Sequence, residues 1–289
     1  MVLDAAVALG VPTKYGQNLV VNPIAESKIE WNSLDDNGKS WFKTSFDLPL
    51  SNREGIGDVS QNLNQILLQA QKQNPDFLNN NDGFSIQTNL DFPRDWGLGS
   101  SSTLINNIAQ WAKVDAFELL QKTMGGSGYD IACAQNDTPI LYQLKDDKPS
   151  VQLADFQPIF RDQLYFIYLN KKQRSHKEVS RYQTIKKGIE NAVKTVSEIT
   201  DLVVKSSNLD DFELLIREHE KLLASILQMP TIQELQFKDY FGQTKSLGAW
   251  GGDFILVTGN EDTPKYFHKK GFETLLLYDE MVLDYTISQ

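Results

Sequence analysis

Three glycine-rich turns in this chain end on residues able to hold an anion or accept a proton. The first is Gly97-Leu98-Gly99-Ser100-Ser101-Ser102, set between an alternating stretch and a helical run that starts at Thr103. Glycine lets the backbone come close to a ligand, and a helix start aims unpaired N–H groups and the positive end of its dipole at that point. Three consecutive hydroxyls add donors, or one ligand for a metal. These features make a phosphate cradle, and they equally make a serine-rich N-cap after a tight turn. No Gly-Lys-Ser/Thr follows, so this is not a Walker A loop.

The second turn, Gly126-Ser127-Gly128-Tyr129-Asp130, delivers a carboxylate. Such a group is a general base if it faces a reacting hydroxyl, and otherwise a cap or a solvated residue. The third, Lys245-Ser246-Leu247-Gly248-Ala249-Trp250-Gly251-Gly252-Asp253, runs directly into the apolar stretch Phe254-Ile255-Leu256-Val257.

Strands and helices must position these turns. Residues Leu19–Ile24, Ile29–Trp31 and Phe84–Leu90 read as strands. Val59, Leu63, Ile66, Leu67 and Ala70 recur at helical spacing. A helix is predicted from Thr103 to about Ala112, and a short one from Asp115, where Glu118 completes a capping-box pattern. The acidic, proline-containing stretch Asp146–Pro158 reads as a linker, and Leu164–Leu169 as a strand. Two amphipathic helices follow, one with Ile185, Ile189, Ala192, Val193, Val196, Ile199 and Val203 on a face, the other running from Phe212 to Leu227. His219 lies on the apolar stripe of the second and reads as a core-edge residue. Short strands at Phe254–Val257 and Thr274–Leu277 flank a helix predicted over Thr263–Lys270. The intermixing indicates an α+β protein.

At 289 residues the chain is long enough for two modest domains or one large one. A net charge of −10 argues against nucleic acid as a partner, since that binding depends on neutralising phosphates. The apolar runs are too short to cross a bilayer. The single cysteine, Cys133, fits a reducing, cytoplasmic setting, and three widely spaced histidines give no metal-ligand pattern. One stretch opposes the acidic trend. Lys171, Lys172, Arg174, Lys177, Arg181, Lys186 and Lys187 face only Glu178, which makes either a solvated helix face or contacts to an anionic acceptor, with Arg174, Lys177 and Arg181 as candidates.

Taken together, the three turns resemble those of the GHMP kinases, the family of galactokinase, homoserine, mevalonate and phosphomevalonate kinases. Pro93 to Ser101 matches the family's Pro-x-x-x-Gly-Leu-Gly-Ser-Ser motif, and Lys245 to Gly252 matches its C-terminal glycine loop. Gly128-Tyr129-Asp130-Ile131-Ala132 looks closest to a bacterial subgroup named for that string. The resemblance implies two α+β domains, an N-terminal ATP-binding domain over 1–155 and a ferredoxin-like C-terminal domain over 156–289. It also implies ATP and Mg²⁺ as cofactors and a small-molecule acceptor. Gly97, Leu98, Gly99, Ser100, Ser101 and Ser102 would hold the phosphates, Ser101 the metal, and Asp130 would act on the acceptor's proton. Gly248, Ala249, Gly251 and Gly252 would close on the transferring group.

The match is incomplete in three places. Met1 stands where the family's Gly-Glu-Tyr or Gly-Glu-His turn ends, so the family's first strand and its Lys are expected to be missing. Trp250 replaces a glycine. Leu119 falls where mevalonate kinase carries a magnesium-binding Glu, with Glu118 one residue off register as a metal ligand or a helix cap. Two other activities share the resemblance: a diphosphomevalonate decarboxylase-like enzyme, and a nucleotide- or metabolite-binding protein without turnover.

Overall fold

The computed structural model describes residues 1–52, 57–79, 82–146, 148–171, 182, 184, 186, 188–248 and 253–285. In chain order its elements begin with β1 (Ala8–Gly10), β2 (Gln17–Ile24), β3 (Lys28–Leu34), β4 (Ser40–Asp47), α1 (Asp58–Gln73), β5 (Gly83–Leu90), α2 (Ser100–Ala112), α3 (Ala116–Thr123) and α4 (Tyr129–Ala134). Next come β6 (Ile140–Lys145), β7 (Lys148–Leu153), β8 (Leu164–Tyr168), α5 (Glu190–Val204), α6 (Leu209–Leu227) and α7 (Ile232–Gln236). The last are β9 (Thr244–Ser246), β10 (Phe254–Thr258), α8 (Thr263–Lys269), β11 (Leu275–Leu277) and α9 (Tyr278–Met281). The class is α+β, as the sequence predicts. Two compact units form: one holds Tyr15–Arg94 and Leu98–Gln135, the other Met1–Lys14, Asp95–Gly97 and Asn136–Gln289.

The first unit is a sheet in the order β2-β5-β3-β4, in which β3 and β5 run parallel and the other pairs antiparallel. Strand β3 alternates, turning Ile29 and Trp31 inward. Helix α1 meets them with Leu63, Ile66, Leu67 and Ala70, and α2 with Ile105, Ile108, Ala109 and Ala112. Both sets keep the helical spacing read from the sequence. Leu119 and Ile131 carry α3 and α4 into the same core, so the elements bearing the first two turns share one packed base.

The second unit contains two sheets. One is β1-β6-β7, antiparallel throughout. The other has the order β11-β8-β10-β9, the strand order of a ferredoxin-like β-α-β-β-α-β arrangement, here with paired helices α5 and α6 in the first connection. Tyr165, Ile167, Ile255 and Val257 of its central strands pack on Ile232, Phe237 and Phe267.

One expectation is corrected. The stretch Asp146–Pro158, read as a linker, holds β7, paired residue for residue with β6 from Ile140↔Leu153 to Lys145↔Lys148. It is an edge strand whose residues are mostly exposed, so it lacks the buried alternation that marks a strand in sequence.

Candidate active site

The Gly97–Ser102 loop folds into the start of α2. Gly99 is its N-cap residue at φ 76° and ψ 28°, a left-handed conformation open to glycine, and no side chain caps the helix. The first intrahelical bond comes from Thr103 N–H to Gly99 O, 3.0 Å. The amides of Ser100, Ser101 and Ser102 precede that bond and belong to the turn that lacks intrahelical acceptors. Ser101 is exposed. Thr103 Oγ1 donates to Gln17 Oε1 at 2.9 Å and Asn107 Nδ2 to Gln17 O at 2.7 Å, which ties α2 to the first residue of β2. The helix begins at Ser100 rather than Thr103, so the three serines form its first turn.

Asp130 lies in the first turn of α4, after Gly128 at φ 76°. A Cβ placed on Gly99 would stand 3.6 Å from Asp130 Cβ, 3.7 Å from Cγ and 3.9 Å from Oδ2. The loop and the carboxylate, 31 residues apart in sequence (130 − 99), are therefore neighbours. Asp130 is accessible to solvent at its surface, yet enough protein surrounds it that desolvation raises its pKa. Its charge and, more strongly, burial push the Cys133 thiol up to about 12, so this cysteine stays a thiol. Gln135 Nε2 donates to Asn106 Oδ1 at 3.0 Å and fixes the end of α4 on α2.

The segment leading into the loop is docked on β8 and β10. Tyr168 donates its hydroxyl to Asp95 O at 3.1 Å, and the Trp96 ring meets Phe254 edge-on at 5.3 Å. Asp253 stands beside them with its carboxylate over Gly97: a Cβ on Gly97 would collide with its Cγ and Oδ2. Arg94, just upstream, stacks its guanidinium 3.5 Å from the centre of the Trp41 ring.

The third turn is rooted on a buried polar cluster. Lys245 Nζ donates to His219 Nδ1 and to Ser246 O, each at 3.2 Å, and lies 3.5 Å from Glu220 Oε1. Glu220 is only 3% exposed; burial raises its pKa, and Lys245 pulls it back. Burial, then the charge of Lys245, lowers His219 to about 2, so it is neutral and accepts through Nδ1. His219 thus packs at the core edge, as expected, with a hydrogen-bonding role that its apolar stripe did not announce. Of the expected closing residues Gly248 has φ 58°, while Ala249, Gly251 and Gly252 lie outside the described residues.

Glu118 is exposed, its N–H caps onto Asp115 Oδ1 at 2.8 Å, and its carboxylate pairs with Lys122. Among the described residues no three His, Cys, Asp or Glu side chains gather as a metal site. Arg174, Lys177 and Arg181 lie outside the described residues. Of the same basic stretch Lys186 is committed, with Tyr182, to Asp4. Asp253 and the Glu220–Lys245 pair carried no assigned role in the sequence, because nothing local links residue 253 to 97 or 220 to 245. No described helix is long and apolar enough to cross a membrane.

No protein-family model matches the chain, and no curated protein matches it by sequence. Solved structures do. The mevalonate kinase of Methanococcus jannaschii aligns over 98% of this chain and 93% of its own, with TM-score 0.69 and 18% identity. The galactokinase of Lactococcus lactis, complexed with galactose, covers 96% of this chain and 88% of its own, with TM-score 0.64 and 14% identity. A mevalonate diphosphate decarboxylase from Legionella pneumophila covers 94% and 99%, with TM-score 0.50 and 13% identity. At these identities the likeness is one of fold, and the fold is the one that the GHMP resemblance implies.

Proposed function

We propose that this chain is an ATP-dependent kinase of the GHMP type, moving the γ-phosphoryl group of ATP to a small-molecule alcohol or phosphate. One observation carries the reading: the Asp130 carboxylate sits against Gly99, inside the loop that opens α2. A proton acceptor beside an anion seat suits in-line phosphoryl transfer, where catalysis is mostly positioning and charge stabilisation. The amides of Gly97–Ser102 hold the phosphates. With an alcohol acceptor, its oxygen bonds to the γ-phosphorus, the bond to the β,γ-bridging oxygen breaks, ADP leaves, and the hydroxyl proton passes to Asp130. With a phosphate acceptor Asp130 serves to orient it.

The exposed Ser101 hydroxyl at a helix start fits one ligand of Mg²⁺, which when bound neutralises phosphate charge. Gly248, Ala249, Gly251 and Gly252 close over the transferring group, and Arg174, Lys177 and Arg181 meet an anionic acceptor. Nucleotide-dependent decarboxylation is the second reading, favoured by the fold match to a diphosphate decarboxylase. Assaying ADP release against a panel of mevalonate-pathway compounds and sugars tests the proposal. Carbon dioxide released with ADP would select the second reading, and nucleotide binding without ADP release would leave a binding protein.

A further inference from the structure

Helix α4 has six residues, too few to be stable by itself, and no side chain caps its start. Its place is therefore set by what it packs against. Ile131 and Gln135 stand four residues apart and share one side of it. Ile131 is fully buried in the core that α2 also lines. Such apolar contact has no preferred direction. At Gln135 the contact is directional: its Nε2 donates to Asn106 Oδ1 of α2 at 3.0 Å, and its own N–H closes α4 onto Ile131 O at 3.1 Å. Asn106 is 3% exposed, on a helix whose other buried residues are Ile105, Ile108, Ala109 and Ala112. A buried amide costs stability unless it is hydrogen-bonded, whereas an apolar residue of similar size would fill the space without that requirement. What the amide adds is a fixed position.

Where α4 sits decides where Asp130 sits. A turn of α4 by one residue swings its side chains through about 100°, which would carry the carboxylate away from Gly99. An error of about 1 Å in placing a reacting group can cost on the order of 10²-fold in rate. We propose that Asn106 and Gln135 are positioning residues: their hydrogen bond locks α4 to α2 and so holds Asp130 against Gly99 at the start of α2. The lock itself is a matter of packing, whereas its effect on rate rests on the kinase reading of that loop.

Cys133, the chain's single cysteine, lies in α4 between Asp130 and Gln135, so its labelling by a thiol reagent reports on that helix without any turnover. Asn106→Leu and Gln135→Met keep bulk and remove one partner each, and Gln135→Lys restores a donor at an exposed position. In the intact chain, with melting temperatures showing which variants are folded, the first two should label about tenfold faster than wild type. Gln135→Lys should label like wild type. With an alcohol acceptor the first two should lose about tenfold to hundredfold in kcat, with little change in ATP affinity by calorimetric titration, and Gln135→Lys should recover the rate. Should Asn106→Leu fail to fold, Gln135→Met, altered at the surface, carries the comparison. Unchanged labelling in the folded variants overturns the lock. Faster labelling with kcat unchanged, or with kcat and ATP affinity lost in step, overturns its part in the reaction. Wild type that releases no ADP with any acceptor overturns the kinase reading instead, and labelling then decides the lock by itself.

Discussion

The Asp130 carboxyl group faces Gly99 at a distance where a methyl on the glycine would just touch it, 3.7 Å from Cγ. This places a titratable oxygen beside the backbone that begins α2. The proposed chemistry depends on that adjacency.

Replacing Asp130 by Asn keeps the shape and removes the proton acceptor. With an alcohol acceptor kcat should fall by about 10²–10⁴-fold, while the affinity for ATP measured by titration changes little. An equal loss in both would mean that Asp130 supports the loop rather than the reaction.

Desolvation raises the pKa of Asp130, so its ionised form exists only above a value higher than that of an ordinary carboxylate. The acid limb of the kcat profile should lie correspondingly high and be missing in Asp130→Asn. The sign for stability follows: a raised folded-state pKa destabilises the fold above that pKa, and the penalty disappears below the unfolded-state pKa of about 3.9. Asp130→Asn should therefore melt at a higher temperature than wild type near pH 8, and the gap should close as pH falls toward 4. A gap that is independent of pH would refute the linkage.

Ser101→Ala removes the exposed hydroxyl in the first turn of α2. It should weaken Mg·ATP more than metal-free ATP. Equal losses for the two forms would remove Ser101 from the metal.

Much of this arrangement was legible in the sequence because it is local. The spacing of Leu63, Ile66, Leu67 and Ala70 gives α1, and the Asp115 cap gives α3. The glycines at 97, 99 and 128 mark backbone at positive φ. What escaped is non-local. Strand β7 is an edge strand with its side chains mostly in solvent, so burial leaves no periodic trace. The Asp253–Gly97 contact and the Lys245–Glu220 pair join residues whose neighbours in sequence carry no sign of each other.

That buried pair gives a stability prediction. Lys245→Met leaves the Glu220 carboxylate, 3% exposed, without its counter-ion, and should cost about 3–5 kcal/mol if the acid stays ionised. Adding Glu220→Leu should recover much of that loss, since an apolar pair of similar volume is often neutral. Denaturant unfolding of the two singles and the double would measure the coupling, and strictly additive losses would contradict it.

The central claim is that Asp130 and the Gly97–Ser102 loop transfer a phosphoryl group, and the most direct measurement is ADP formation from Mg·ATP across the acceptor panel, with Asp130→Asn alongside. The account predicts acceptor-dependent ADP release by wild type, a phosphorylated acceptor as product, and a loss of about 10²–10⁴-fold in the Asn variant with an alcohol acceptor. Equal acceptor-dependent turnover of such an acceptor by wild type and Asp130→Asn would contradict it.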